Sequence, residues 1–330
     1  YHRSYGYPLW TMLSVDNIYT WNGSVPRPDA IVTRSDEYAI DEDQTGVFAS
    51  VRWSLLDTVS LITGARVIDW QRDEMSHNFS SGAVSREHRE ENGIVTPYLG
   101  LVYDFADNWS AYTSYTTIFN PQSYLDVNGR YIDPKEGENY ELGLKSEFWD
   151  KRLTAALSIF EVHQDNLAVA DGNALAPDGN QAYRAESGTK TRGFEIEVAG
   201  EILPLWQISA SYSYAEIHDA DDDRLVTQLP RDTFKLFTSY QIPALNNLKI
   251  GSSVRWQGDA YYEDAGPNGE TFKQGSFTIV DLMAQYALNA ETSLALNFNN
   301  IFDERYYTAI GTRGWYGTPR NITARMKYDF

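Results

Sequence analysis

The side chains in this sequence best suited to hold a metal or move a proton are its histidines and one run of acids. His2, His77, His88, His163 and His218 are scattered, and no two stand at metal-ligand spacing on one strand; no metal is therefore assigned to them. Asp219, Asp221, Asp222 and Asp223 offer oxygens of the kind calcium takes. They lack the spacing of a calcium loop and read as a solvated charge run in a polar loop. An enzyme needs a nucleophile, a base and an orienter within reach of one another. Ser158 and His163 fall on opposite faces of one strand, and no Ser–His pair shares an outward face, so no catalytic residues and no enzyme activity are expected. The chain has no cysteine, which removes disulfide frameworks, zinc–thiolate sites and thiol nucleophiles together.

Recognition is left to the aromatic residues. The chain carries 23 Tyr, 14 Phe and 9 Trp, and many stand in segments that read as loops: Trp10, Tyr19, Trp21, Phe119, Tyr124, Tyr131, Tyr261, Tyr262, Tyr306, Tyr307, Trp315 and Tyr316. Trp and Tyr give rigid contact area with a polar tip, which suits a bulky, compact ligand. Ordinary loop or girdle packing is the competing explanation for any one of them. Loop position selects Trp10, Tyr19, Trp21, Tyr124, Trp315 and Tyr316 as ligand-binding candidates, with Arg313 for an anionic group on the ligand.

The elements that must hold these loops announce themselves by alternation. Tyr140, Leu142, Leu144 and Phe148 alternate with Asn139, Glu141, Lys145 and Glu147. Leu248, Ile250, Val254 and Trp256 alternate with Lys249, Ser253, Arg255 and Gln257, and Trp206, Ile208, Ala210, Tyr212 and Tyr214 with Gln207, Ser209, Ser211 and Ser213. At the end of the chain Ile322, Ala324, Met326, Tyr328 and Phe330 alternate with Asn321, Thr323, Arg325, Lys327 and Asp329. Such period-2 segments are strands. They are expected near 44–55, 59–70, 94–106, 109–118, 138–149, 152–164, 191–200, 206–217, 231–242, 247–258, 276–287, 292–301 and 319–330, about thirteen in all. Most match the 9–11 residues that cross a bilayer at a tilt, roughly twice the usual soluble strand.

Connections alternate strictly between two kinds. Short turns fall at Leu56–Thr58, Ala106–Asn108, Asp150–Lys151, Glu201–Leu205, Pro243–Asn246 and Asn289–Glu291. Long polar loops are expected at 71–93, 119–137, 165–190, 218–230, 259–275 and 302–318. Outer-membrane barrels sort their connections in this way, short in the periplasm and long outside. The expected fold is therefore an all-β, transmembrane antiparallel β-barrel, located in the outer membrane of a Gram-negative bacterium.

Energetics decides which face meets lipid. A Lys or Arg on the lipid face near the midplane costs about 2–4 kcal/mol. Lys145, Lys249, Arg255, Arg325 and Lys327 together would exceed a typical domain stability of about 5–15 kcal/mol. They must face the lumen, where they and Glu141 either salt-bridge a plug or hydrate the interior. Trp109, Trp149, Trp206 and Tyr240 stand near strand ends and fit an aromatic girdle. The mean hydropathy of -0.46 and the lack of a long apolar run exclude a membrane helix. The formal charge of -19 makes nucleic acid an unsuitable partner.

Residues 1–43 contain no alternating segment and read as an extracellular loop region, with the barrel segment at 44–330. Bacterial single-chain barrels close with an even strand number, so about thirteen strands imply that an N-terminal portion is missing. Tyr328 and Phe330 end the final strand on one face and look like the terminal aromatic signal read for outer-membrane insertion.

Several segments resemble TonB-dependent siderophore receptors, particularly the branch that takes ferric coprogen, rhodotorulic acid or pyoverdine-like ligands. The segments are DPKEGENYELGLK from Asp133, RLTAALSIFEVHQDNLA from Arg152, TPYLGLVYDF from Thr96, RGFEIEVAGEI from Arg192, NFNNIFDERYY from Asn297 and YGTPRNITARMKYDF from Tyr316. The resemblance covers nearly the whole chain and implies a barrel of roughly twenty-two strands filled by an N-terminal plug with a TonB box. It implies a ferric siderophore as ligand, iron carried inside that ligand rather than in a protein-bound cofactor, and the TonB complex as a partner reached through the missing part. Outer-membrane lipid and the barrel assembly machinery complete the expected partners. The alternatives are a passive porin of about fourteen strands and the same receptor class with cobalamin or haem as cargo.

Overall fold

A computed structural model describes residues 2–8, 34–79, 81–245, 248–263, 265 and 268–329; at 2–8, 34 and 35 it describes the backbone alone. In chain order the strands are β1 (His2–Pro8), β2 (Arg34–Leu56), β3 (Val59–Asn78), β4 (Val84–Ala106), β5 (Trp109–Asn120), β6 (Lys135–Phe148) and β7 (Leu153–Asp165). They continue as β8 (Leu167–Leu175), β9 (Gln181–Glu186), β10 (Thr189–Leu203), β11 (Trp206–His218), β12 (Arg224–Leu225), β13 (Asp232–Ile242) and β14 (Leu248–Gln257). The remainder are β15 (Ala260–Tyr262), β16 (Phe272–Gln274), β17 (Phe277–Ala287), β18 (Thr292–Asn299), β19 (Tyr307–Ala309), β20 (Trp315–Tyr316) and β21 (Asn321–Tyr328).

The chain divides into two units, residues 1–49 with 64–96 and residues 50–63 with 97–330. In the larger unit the strands pair antiparallel with their neighbours in chain order, from β4 through β5, β6, β7, β10, β11, β13, β14, β17 and β18 to β21. The lower parts of β2 and β3 belong to the same unit, where Arg52 donates to Ser60 and the amide of Asp104 donates to the carbonyl of Thr58. With β2 and β3 this makes thirteen long strands among the described residues, the number that alternation predicts.

Register shows why these residues make a sheet with two unlike faces. Leu142 on β6 lies opposite Thr113 and Ile159, and Leu144 opposite Ala111 and Leu157. Leu157 and Ile159 in turn oppose Ile196 and Phe194 on β10. Leu142, Leu144, Leu157, Ile159 and Ile196 are all exposed, so among the described residues no protein lies against this apolar face. The opposite face carries Glu141, Lys145, Ser158, Glu195, Lys235 and Arg255, as the charge argument requires. A slip of one residue would exchange the faces, so the pattern holds the register. Trp109 packs edge-on to Phe148, and Trp206 edge-on to Tyr240 while donating to Thr238 at 2.7 Å. This aromatic band lies at the short-turn end.

The smaller unit differs from expectation. The segment 1–43 was expected to hold no strand, yet β1 pairs antiparallel with β2, His2 opposite Asp41, and β2 starts at Arg34 rather than near 44. The segment 71–93, expected as a loop, is mostly strand: β3 runs on to Asn78, β4 begins at Val84, and the turn is closed by the amide of Asn78 on the carbonyl of Ala83. The reason is solvent. Backbone ladders form wherever two strands run side by side, but sequence alternation arises only where one face meets an apolar phase. Arg72, held by Glu42 and Glu74, and Trp70, donating to Glu42 at 3.1 Å, make a polar-rich ladder with no alternating signature.

Candidate functional site

In the larger unit the long connections lie at the end opposite the short turns, and their described residues carry hydrogen-bonded structure of their own. Residues 121–134 fold around a buried amide: Gln122 donates to the carbonyls of Asp133 at 2.8 Å and Asn166 at 2.6 Å, and Asn166 donates to Pro134 at 3.0 Å. The tip is a tight turn in which Asp126 accepts the amides of Asn128 and Arg130, both at 2.8 Å. Gly129 completes it at φ 78°, a left-handed conformation that glycine takes without steric cost. The two amides, that of Arg130 first, hold the Asp126 carboxyl below the usual carboxylate range.

The other connections carry small hairpins that were expected only as loops. β8 and β9 pair within 165–190, β15 and β16 within 259–275, and β19 and β20 within 302–318. Backbone bonds join neighbouring connections: the amide of Tyr183 donates to Leu125 at 2.8 Å, and that of Tyr261 to Thr227 at 3.0 Å. The amide of Tyr307 donates to the Gln274 side chain at 2.8 Å.

These hairpins bring six aromatic rings to this end of the sheet, in ring contact as the pair Tyr124–Tyr183 and as the set Phe272–Tyr307–Tyr316. Tyr124 and Tyr183 lie 4.4 Å apart between ring centres. Burial pushes the Tyr183 hydroxyl above its ordinary range, and Tyr124 and Tyr262 add to the effect. Tyr262 is the cross-strand partner of Phe272, whose ring meets Tyr307 edge-on at 4.9 Å. Tyr307 stacks on Tyr316 at 4.5 Å, with the two hydroxyls 3.0 Å apart. The buried Tyr306 stacks on Phe277 at 4.6 Å and supports the same hairpin from beneath. Four separate connections thus contribute aromatic rings to the same end of the sheet, most of them tipped by phenolic hydroxyls.

The expected ligand-binding residues fall here unevenly. Tyr124 belongs to the pair and Tyr316 to the larger set, with Trp315 beside it; all three are exposed. Arg313 is exposed in the turn between β19 and β20. Trp10, Tyr19 and Trp21 lie outside the described residues, as does Phe330, whereas Tyr328 sits on β21 opposite Thr292. Tyr183 and Phe272 were missed. The alternation in QAYRAE, just after the Asp178–Gly179–Asn180 turn, was the signal for the first. The acidic run is a turn in which Asp219 accepts the amides of Asp221 and Asp223.

The sequence matches the family described as TonB dependent receptor-like, beta-barrel, over residues 1–301. It is 41% identical over 320 residues to the ferric-pyoverdine BN7/BN8 receptor of Pseudomonas putida, covering 96% of this chain and 38% of that protein. It is 35% identical over 342 residues to the ferripyoverdine receptor of Pseudomonas aeruginosa, covering 98% and 40%. The chain thus spans about 40% of the length of these relatives. The crystal structure of the ferripyoverdine receptor of the Pseudomonas aeruginosa outer membrane bound to ferripyoverdine superposes with a TM-score of 0.77 at 36% identity, over 96% of this chain and 42% of that one.

Proposed function

Since the chain belongs to the TonB-dependent receptor β-barrel family, an outer-membrane family of Gram-negative bacteria, we propose that it forms part of a receptor for TonB-dependent uptake of a ferric pyoverdine-type siderophore. The observation that carries this reading is the 41% identity with a ferric-pyoverdine receptor across nearly the whole chain. The aromatic rings support it. A ferric siderophore is a compact body with an apolar exterior, and the rings from Tyr124 to Tyr316 present rigid apolar area edged by hydroxyls.

In this reading the iron is cargo, wrapped by the siderophore, and the protein contributes no cofactor. Tyr124, Trp315 and Tyr316 contact the ligand, joined by Tyr183 and Phe272, while Arg313 meets an anionic group on it. Trp10, Tyr19 and Trp21 are proposed to add to the same surface. The apolar face of the sheet meets lipid. Tyr328 and Phe330 carry the insertion signal for the barrel assembly machinery, and the TonB complex supplies the energy for transport.

The test is a fluorescence titration of the protein in detergent with a panel of ferric pyoverdines and ferric hydroxamates. Saturable quenching of Trp and Tyr emission by at least one ferric pyoverdine is expected. Absence of saturable quenching by every ferric siderophore in the panel would overturn the assignment.

A further inference from the structure

The β15–β16 hairpin turns its two faces to different neighbours. Successive side chains of a strand point to opposite faces, so Tyr261 and Tyr262 look in opposite directions. Tyr262 lies opposite Phe272, whose ring meets Tyr307 edge-on at 4.9 Å. Gly314 permits this approach, because a Cβ there would fall 2.6 Å from the Phe272 ring and 2.7 Å from that of Tyr307. Burial first, then Tyr124 and Tyr262, raise the Tyr183 hydroxyl, so Tyr262 stands within electrostatic reach of the Tyr124–Tyr183 pair. One face of the hairpin thus reaches both groups of rings.

The Tyr261 face meets the connection 218–230 instead. The Arg224 guanidinium stands over the Tyr261 ring, 5.6 Å from its centre, and donates to the Leu229 carbonyl at 3.3 Å. A cation within about 6 Å of a ring centre is attracted by the negative face of the ring. Beside this contact the Tyr261 amide donates to the Thr227 carbonyl at 3.0 Å, and the Leu229 amide to Val226 at 3.1 Å. Val226 is left-handed, at φ 53°, where a β-branched residue is strained. Such strain persists only where the surroundings over-determine the backbone, and here Arg224 and Tyr261 do so from either side of the turn. The backbone of Arg224 is itself fixed, since β12 pairs with β11 and sets Arg224 opposite His218. Arg224 therefore links a strand of the main sheet to the hairpin that carries Tyr262 and Phe272.

We propose that Arg224 is a positioning residue for ligand binding: it clasps the β15–β16 hairpin so that Tyr262 and Phe272 join the two groups of rings. The proposal rests on the siderophore reading above and deepens it. Arg224 is half-buried and acts on the ligand through Tyr261 rather than by contact. A planar guanidinium can lie over a ring while its fork donates to a carbonyl, which a lysine ammonium does not reproduce. Tyr261 serves the clasp through its ring face and its amide, and its hydroxyl is dispensable.

The experiment runs the ferric-pyoverdine quenching titration on the chain in detergent beside hydrogen exchange at the amide of residue 261. Arg224→Gln and Tyr261→Leu should each weaken binding about twofold to fivefold, the usual value of an exposed cation–π contact. Both should also speed exchange at residue 261 relative to its intrinsic rate, while the melting midpoint of the main sheet stays the same. Tyr261→Phe keeps the ring and should recover most of the binding that Tyr261→Leu loses. Arg224→Gln combined with Tyr261→Leu should bind no more weakly than either single variant, because both remove the same contact. Unchanged affinity in Arg224→Gln overturns the proposal. So do losses that multiply in the double variant, or a loss in Tyr261→Phe as large as in Tyr261→Leu. Absence of quenching in the unaltered protein is a different result: it overturns the siderophore reading, and this proposal falls with it.

Discussion

Tyr112 on β5 lies directly opposite Gly143 on β6, and its ring occupies the space where any side chain of residue 143 would stand. The ring is held there from both ends. Its hydroxyl donates to Glu141, and the Lys145 ammonium sits 4.7 Å above its centre. Glycine in a strand interior weakens the strand by entropy, and here the aromatic ring covers the bare backbone and offsets that loss.

Gly143→Ala is therefore expected to destabilise the sheet by about 1–3 kcal/mol, the usual cost of forcing a methyl group into filled space. The thermal midpoint of the β-sheet circular dichroism signal in detergent is the measurement. Tyr112→Leu in the same chain should recover part of the loss by removing the obstructing ring. An unchanged midpoint for Gly143→Ala would show that Tyr112 swings away freely.

The alternation of Leu142, Leu144 and Tyr140 with Glu141 and Lys145 made β6 legible from sequence, because lipid on one face and water on the other impose the period. The same logic failed for residues 34–43 and 71–93, whose ladder is polar-rich and bears no stamp of an apolar phase. The aromatic rings were half legible. Tyr124 and Tyr316 could be picked by loop position, but the placement of Tyr183 depends on its amide reaching Leu125, 58 positions earlier in the chain. Nothing local to residue 183 encodes that bond.

The Asp126 turn should depend on pH with a definite sign. Its carboxyl is held below the ordinary value of 3.8 by the amides of Arg130 and Asn128. The unfolded turn therefore binds its proton at higher pH than the folded one, and the stabilisation is full above 3.8 and lost as pH falls through the depressed folded value. Hydrogen exchange at the Arg130 amide should rise, relative to its intrinsic rate, as pH falls through this window. Asp126→Asn should abolish that pH dependence; a dependence that persists would place the titrating group elsewhere.

Tyr183 joins two connections through its backbone and two rings through its side chain, so the two roles can be separated. Tyr183→Ala keeps the amide bond to Leu125 and removes the contact with Tyr124. An aromatic pair contributes about 0.5–1.5 kcal/mol beyond area burial. Ferric-pyoverdine affinity should accordingly fall by roughly threefold to tenfold. Tyr183→Phe should bind nearly as well, since stacking rather than the hydroxyl holds Tyr124 in place. A larger loss in the Phe variant than in the Ala variant would contradict this.

Asn300 is the fastening of the last aromatic hairpin, and its substitution should loosen the site more than the sheet. The residue is 3% exposed and left-handed, at φ 50°, a conformation in which Asn is enriched over most residues. Its amide donates to Asp281 at 2.8 Å, and its side chain donates to the carbonyls of Glu304 at 2.9 Å and Thr318 at 3.2 Å while accepting the Glu304 amide at 2.9 Å. These bonds tie together both ends of the segment that presents Tyr306, Tyr307, Trp315 and Tyr316. Backbone strain and hydrogen bonding predict different responses. If Asn300 mattered only for its dihedral, Asn300→Gly would restore function, because glycine accepts positive φ freely. If the side-chain bonds matter, Gly and Ala both strand buried partners, at about 1–3 kcal/mol for each unsatisfied group. The expectation is the second: faster hydrogen exchange across 302–318 in both variants, weaker ferric-pyoverdine quenching, and a smaller change in the melting of the main sheet. Asn300→Asp should lie between, since it can still accept the Glu304 amide but cannot donate to Glu304 or Thr318. Recovery by Asn300→Gly would assign the residue a purely conformational role.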